Sequence, residues 1–285
     1  MLLKNVAVLI VEYVAENENR NHLYKEWYTE GVDIGINFNS YLNIDNNERI
    51  RLMKKYGFNH TFIVVSQKDV DEQFELCEAN GIVVDSCHGP YKGINNIWLD
   101  SDEGDDVYFD FADAVNMCAE HHVPYLVLHL SSGVNPPHIS DIGYERFSKL
   151  AQLAKEKNVT LAFENQRKIA NLAFALEEFK DAVLCWDCGH EGCFAKGKQF
   201  MPMFGERMKI VHLHDNHKEF NQDLHMIPYD ASIDFDYVCA MLKQYGFNET
   251  VMLEIHETNY DGIDPEEFYR RAAEAANRIR DNLLK

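Results

Sequence analysis

Residues 159–187 read VTLAFENQRKIANLAFALEEFKDAVLCWD, and this stretch decides the fold. It opens on a short apolar run, 159–164, that ends in a carboxylate, Glu164. A partly periodic segment follows at 168–180. A second apolar run, 183–187, then ends in Asp187. Apolar residues at spacings of three and four mark one face of a helix, whereas a short apolar run bounded by polar residues suits a strand buried on both faces. The stretch therefore predicts a strand, a helix and a second strand parallel to the first.

The same alternation extends in both directions. Further strands are expected at 33–38, 61–65, 82–87, 125–130, 209–214 and 251–256, which brings the count to eight. Helices are expected at roughly 46–56, 69–80, 107–121, 141–157, 232–245 and 265–283. The segment 191–206 is the least helical, with three glycines and one proline. Eight β/α units imply an α/β fold closed into a (β/α)8 barrel, the TIM barrel. An open dinucleotide-binding sheet would want a glycine-rich first turn, and residues 39–47, NSYLNIDNN, contain no glycine. An extra apolar run at 6–11 is expected as a buried strand. The chain is accordingly read as one barrel domain over 1–285, with 1–31 as an N-terminal extension.

The chain has 285 residues, a length that suits a single barrel. Lys and Arg number 27 against 47 Asp and Glu, a formal charge of −20. A binder of nucleic-acid backbone gathers positive charge, so this balance argues against a large nucleic-acid footprint without excluding a local one. Seven cysteines are an odd number and fit a reducing compartment. The run at 6–11 is too short to span a bilayer, and Glu12 ends it. The protein is read as cytoplasmic, with no membrane partner.

Acids and histidines recur where these strands end: His88, His129, Glu164, Asp187, His190, His212, His225 and Glu254. Side chains at the ends of successive parallel strands converge on one face of a barrel. Glu164 and Glu254 interrupt strongly apolar runs, where carboxylates are rare unless paired or bound to metal. Asp187 and His190 form a DxxH after a strand. In 210–217, IVHLHDNH, the two-residue period puts His212 and His214 on one face. Imidazole and carboxylate together suit a divalent ion. Asp223 and His225 lie in a loop. Cys185, Cys188 and Cys193 include a CxxC without a second pair, and are read as packing residues.

Taken together, these residues resemble the xylose isomerase-like barrel superfamily, from about residue 32 to the end. The resemblance implies a metal held by Glu164, Asp187, His212 and Glu254, and a substrate contact from His190. It implies a divalent ion, Mn²⁺, Zn²⁺, Mg²⁺ or Co²⁺, and by analogy with related epimerases a homodimer. The segment 223–235, DLHMIPYDASIDF, is similar to the family's H-x-x-P-G-x-G-x-I-D-F stretch, with Tyr229 and Ala231 where glycines are expected. The activity implied is isomerisation or epimerisation of a sugar or sugar phosphate. Glu164 and Glu254 would act as catalytic acid and base beside a carbonyl that the metal polarises. His88, His129, His190, Asp223 and His225 would bind substrate or further metal, with His214 and Lys218 as substrate contacts. The superfamily also includes inosose-processing lyases and endonuclease IV. The endonuclease pattern of nine zinc ligands is matched in order by His88, His129, Glu164, Asp187, His190, His212, Asp223, His225 and Glu254. One metal at the four-residue site would indicate sugar chemistry, and three would indicate phosphodiester hydrolysis.

Overall fold

The computed structural model describes residues 32–285, so the run at 6–11 and the extension 1–31 lie outside the described residues. The eight strands are β1 (Ile34–Ile36), β2 (His60–Val64), β3 (Val83–His88), β4 (Tyr125–Leu128), β5 (Thr160–Glu164), β6 (Val183–Asp187), β7 (Met208–His212) and β8 (Val251–Leu253). The α-helices among the described residues are α1 (Asn46–Lys55), α2 (Val70–Asn80), α3 (Asp102–Glu120), α4 (Asp141–Glu156), α5 (Ile169–Glu178), α6 (Cys188–Phe194), α7 (Met201–Phe204), α8 (Phe235–Gln244) and α9 (Pro265–Leu283).

In the decisive stretch, α5 buries Leu172, Ala175 and Leu176, the three-and-four spacing of one helix face. That face returns the chain so that β5 and β6 run parallel, with Ala162 opposite Val183 and Glu164 opposite Cys185. The same pairing repeats around the sheet in the order β7-β6-β5-β4-β3-β2-β1-β8. The ring closes just past β7, where Leu213 bridges Leu253 in parallel. There the Leu213 amide donates to Met252 O at 2.9 Å, and the Glu254 amide donates to Leu213 O at 3.1 Å. Val127, Ala162, Cys185 and Ile210, from four adjacent strands, form a buried cluster. The architecture is the expected (β/α)8 barrel.

Two local differences have clear causes. Helix α3 begins at Asp102, five residues before the expected start at 107. Ser101 caps it by accepting a hydrogen bond from the Gly104 amide, and Asp102, Glu103 and Asp105 complement the positive end of the helix. The weakly helical segment 191–206 resolves into α6 and the short α7, separated by a turn in which Lys196 and Gly197 both adopt positive φ. All seven cysteines are buried and free. No helix of the described residues is long and apolar enough to cross a membrane.

Candidate metal centre

The rim at the C-terminal ends of the strands collects the acids and histidines. His88, Glu164, Asp187 and His212 are the last residues of β3, β5, β6 and β7, while His129 and Glu254 stand one residue past β4 and β8. Asn165 fixes the relation of two of them. Its side-chain amide donates to Asp187 O at 2.8 Å, and its Oδ1 accepts from the Asp187 amide at 2.7 Å. Asp187 ends β6 and also caps α6, accepting from the His190 amide at 2.6 Å. The DxxH spacing is thus a strand end followed by a first helical turn, with no loop between, and it sets His190 beside Asp187.

Donor atoms of Glu164, Asp187, His212 and Glu254 lie within 4.8 Å of one another. His212 Nδ1 approaches Glu254 Oε2 to 3.0 Å and Glu164 Oε2 to 3.6 Å. These are close approaches without hydrogen-bond geometry: both His212 nitrogens, Asp187 Oδ2 and Glu254 Oε2 are buried without a hydrogen-bond partner. Buried polar atoms left unpaired are costly, and a divalent ion among these donors would satisfy them. The residues therefore fit a metal. Cys185 also falls within reach of Glu164 and His212. In the metal-free protein burial pushes its thiol up to about 12.

Two further groups of metal-binding size adjoin the first. His88 and His129 direct Nε2 at Glu164 Oε2, at 3.2 and 3.0 Å. His190, His214, Asp223 and His225 form the other. There Asp223 Oδ2 lies 3.0 Å from His190 Nε2 and 3.3 Å from His225 Nε2. His214 Nε2 faces Asp187 Oδ1 at 3.1 Å, again without hydrogen-bond geometry. Burial pushes the Glu164 carboxyl up, but the charges of His129 and His190 more than offset it and hold it well below the usual range. Burial likewise pushes His190 down, and Asp187, Asp223 and Glu164 more than offset it. His225 follows the same pattern beside Asp223 and rises to about 9.

The loop after β7 is folded over the rim by Asp215. Its carboxylate accepts from the amides of Asn216, Ala231 and Ile233, each at 2.8 Å. Its backbone pairs with Met226, which brings Asp223 and His225 back to the barrel. Asp215 in HLHD is thus a loop anchor. Gly189 allows the third group to form: a Cβ there would lie 2.0 Å from the His214 ring. Tyr229, where a glycine was expected, adopts a φ of 75°. Its ring is held by Phe235, with centroids 4.8 Å apart, and by the Arg278 guanidinium at 3.7 Å.

A cavity of 270 Å³ opens above these residues, and Glu164, His190 and Glu254 line it. His88, His129, Asp223 and His225 line it too, while His212, His214 and Asp187 lie beneath, fully buried. Lys218 is exposed in the β7–α8 loop, outside the lining residues. The lining residues not singled out in the sequence include Gln166, Arg167, Tyr91 and His256. His256 carried a usable signal, since it stands two residues beyond Glu254. Its ring stacks on His225 at 4.3 Å, and burial followed by the charge of His225 pushes it down to about 3. Gln166 and Arg167 had only their place in the turn after β5.

The Xylose isomerase-like TIM barrel family matches residues 50–279. No curated protein sequence gives a significant match. Among solved structures, a D-psicose 3-epimerase from Clostridium cellulolyticum H10 superposes with a TM-score of 0.72 at 16% identity, over 88% of this chain and 99% of that one. An L-ribulose 3-epimerase gives 0.72 at 14%, over 89% and 96%. A 3-keto-D-glucoside 4-epimerase from E. coli gives 0.69 at 15%, over 88% and 99%. Likeness at such identities carries the fold. The family match, by contrast, runs from within α1 into the last turns of α9, and so the chain belongs to the xylose isomerase-like TIM barrel family.

Proposed function

We propose that the protein is a divalent-metal-dependent isomerase or epimerase of a sugar or sugar phosphate. The observation that carries this reading is the approach of two glutamates to one metal-sized group at the base of a cavity. Glu164 comes from β5 and Glu254 from just past β8, with β6 and β7 supplying Asp187 and His212 between them. An ion held there supplies Lewis-acid stabilisation of negative charge developing on a carbonyl oxygen. Glu164 and Glu254 are both drawn below the usual carboxylate range, Glu254 by His212 against the effect of burial. One, ionised, removes the proton beside the carbonyl, and the other, having first taken a proton from solvent, delivers it to the opposite face. His88 and His190, which also line the cavity, orient hydroxyls. The epimerases of like fold support this assignment. Loss of hydroxide after the same proton removal would give a lyase instead.

The test is hydrogen exchange. Metal-loaded protein is incubated with a panel of ketoses, an inosose and their phosphates in deuterated water. Deuterium is expected at the carbon beside the carbonyl of at least one of them. A metal-loaded protein that exchanges none would sink the reading.

One observation favours a second reading, phosphodiester hydrolysis by three metal ions. All nine residues of the endonuclease-like pattern fall into three metal-sized groups. The formal charge of −20 opposes a DNA substrate. Metal stoichiometry by elemental analysis, with anomalous diffraction to place each ion, separates the two. One ion at the four-residue site favours the sugar reading, and three favour hydrolysis.

A further inference from the structure

We propose that Arg167 forms an anion subsite in this cavity, taking the phosphate or carboxylate group of an anionic sugar substrate. The proposal rests on the reading of the cavity as a sugar site, and it narrows that reading to charged substrates. Among the described residues that line the cavity, Arg167 is the one fixed positive charge, against the carboxylates of Glu164, Asp223 and Glu254. An anionic substrate entering so acidic a space needs a donor of this kind.

The side chain is held from two sides. Its guanidinium lies 3.5 Å from the centroid of the Phe194 ring, in α6. Its Nε donates to Asn221 Oδ1 at 2.8 Å, and the Asn221 amide is itself tied to Cys193 O at 3.1 Å. Asn221 adopts a φ of 65° in this loop. The clamp thus joins the turn after β5, helix α6 and the loop after β7. It occupies the inner nitrogen and leaves the two terminal nitrogens without a protein partner among the described residues. Those two nitrogens are the edge that grips a carboxylate or phosphate with paired hydrogen bonds.

Other arginines of this acidic chain are engaged differently. Arg51, Arg146, Arg270, Arg271 and Arg280 pair with carboxylates, Arg49 and Arg207 donate to backbone carbonyls, and Arg278 stacks on Tyr229 outside the cavity lining. Arg167 has no carboxylate in ion-pair contact among the described residues; burial lowers its pKa, against a smaller opposing pull from Asp223. An arginine kept free of acids, braced on a ring and facing a cavity is placed to receive an anion from outside.

The test is calorimetric titration of metal-loaded protein with inorganic phosphate and, separately, acetate. Wild-type protein is expected to bind at least one of them with a Kd on the order of millimolar, and Arg167→Gln to weaken that binding by about tenfold or more. Stronger binding of phosphate assigns a phosphorylated substrate, and stronger binding of acetate assigns a sugar acid. Arg167→Lys keeps the charge but loses the fork, and is expected to lose several-fold. Metal content, measured alongside, reports that each variant is folded. If Arg167→Gln fails to fold, Arg167→Lys decides alone. Binding that is unchanged in the folded variants, or a wild-type protein that binds neither anion, overturns the subsite. Either result leaves the exchange test of the sugar reading untouched. Arg167-dependent anion binding without sugar exchange would keep the subsite and remove the epimerase.

Discussion

At the N-terminal end of the barrel, His60 begins β2 between two aspartates. Its Nδ1 lies 2.6 Å from Asp85 Oδ1 and its Nε2 3.5 Å from Asp33 Oδ2. Thr250 joins at 3.2 Å, and Asn59 donates to Asp33 at 2.9 Å. At the C-terminal end, His212 and His214 are more deeply buried, yet none of their four ring nitrogens has a hydrogen-bond partner. Both ends contain histidine and carboxylate in an apolar wall. One end satisfies its imidazole within the protein, and the other aims its donors at a shared space. A buried histidine alone therefore says little about function. The missing partners mark the working end, where folding tolerates unpaired polar atoms that a ligand can satisfy.

Replacing Glu164 should have the largest effect, because two of the three groups at the working end share it with separate histidines. Glu164→Gln is expected to lower turnover by about 10³-fold, combining loss of a proton-transfer group with loss of a ligand. Metal at about 100 times its Kd should stabilise wild-type protein by roughly 3 kcal/mol. Thermal denaturation with and without metal should show little of that gain in the variant. A variant that keeps the full metal-dependent stabilisation would mean that Glu164 is not a ligand, and the contrast between the two ends would fail.

The structural end should respond in the opposite way. His60→Ala leaves Asp85 and Asp33 without their shared partner, at a cost of about 3 kcal/mol in urea denaturation. Its metal stoichiometry should equal that of wild-type protein. Loss of metal in this variant would show that the two ends are coupled through the barrel.

The sequence showed the working end more plainly than its supports. Strand ends are readable because short apolar runs terminate in single polar residues. For that reason the candidates at strand ends, such as His88, Glu164, Asp187, His212 and Glu254, are legible one by one without knowledge of how they converge, whereas Asp223 sits in a loop and entered through the family resemblance. Asp215 was not singled out in 210–217, because its bonds to the amides of Ala231 and Ile233 depend on how a long loop folds back. Arg167 follows a strand end like many loop arginines, and only Phe194 and Asn221 distinguish it. The start of α3 was obscured because Gly104 and four acids in 102–106 read as a loop, whereas Ser101 makes them a first turn. Local pattern reports which residues face the rim. Contacts between distant segments decide which of them lack partners.

Gly189 tests the boundary between support and site. A methyl group there would meet the His214 ring, which is fully buried and has no room to retreat. Gly189→Ala is expected to cost about 2 kcal/mol by overpacking. It should also weaken any ion held by His190, His214, Asp223 and His225, while an ion at Glu164, Asp187, His212 and Glu254 is retained. Metal titration of the variant would sharpen the comparison by counting how many groups at the working end are occupied. A stoichiometry equal to wild type would mean that the third group holds no ion.

The smallest effect expected is a pH dependence at the structural end. Burial pushes the His60 imidazole down, but Asp85 and then Asp33 more than offset it, so its pKa in the folded protein stands above the ordinary value. In the unfolded chain it titrates near ~6.5. Protonated His60 thus contributes its full stabilisation below that pH, and the contribution is lost as pH rises through the folded value. The measurement compares unfolding free energies of metal-free wild type and His60→Gln across this range, so that ligand binding at the other end does not enter. The difference between them should be widest below pH ~6.5 and narrow above it. A difference that stays constant through neutral pH would mean that His60 is held as a neutral hydrogen-bonding group. The two ends would then differ in the partners of their histidines and not in their charge.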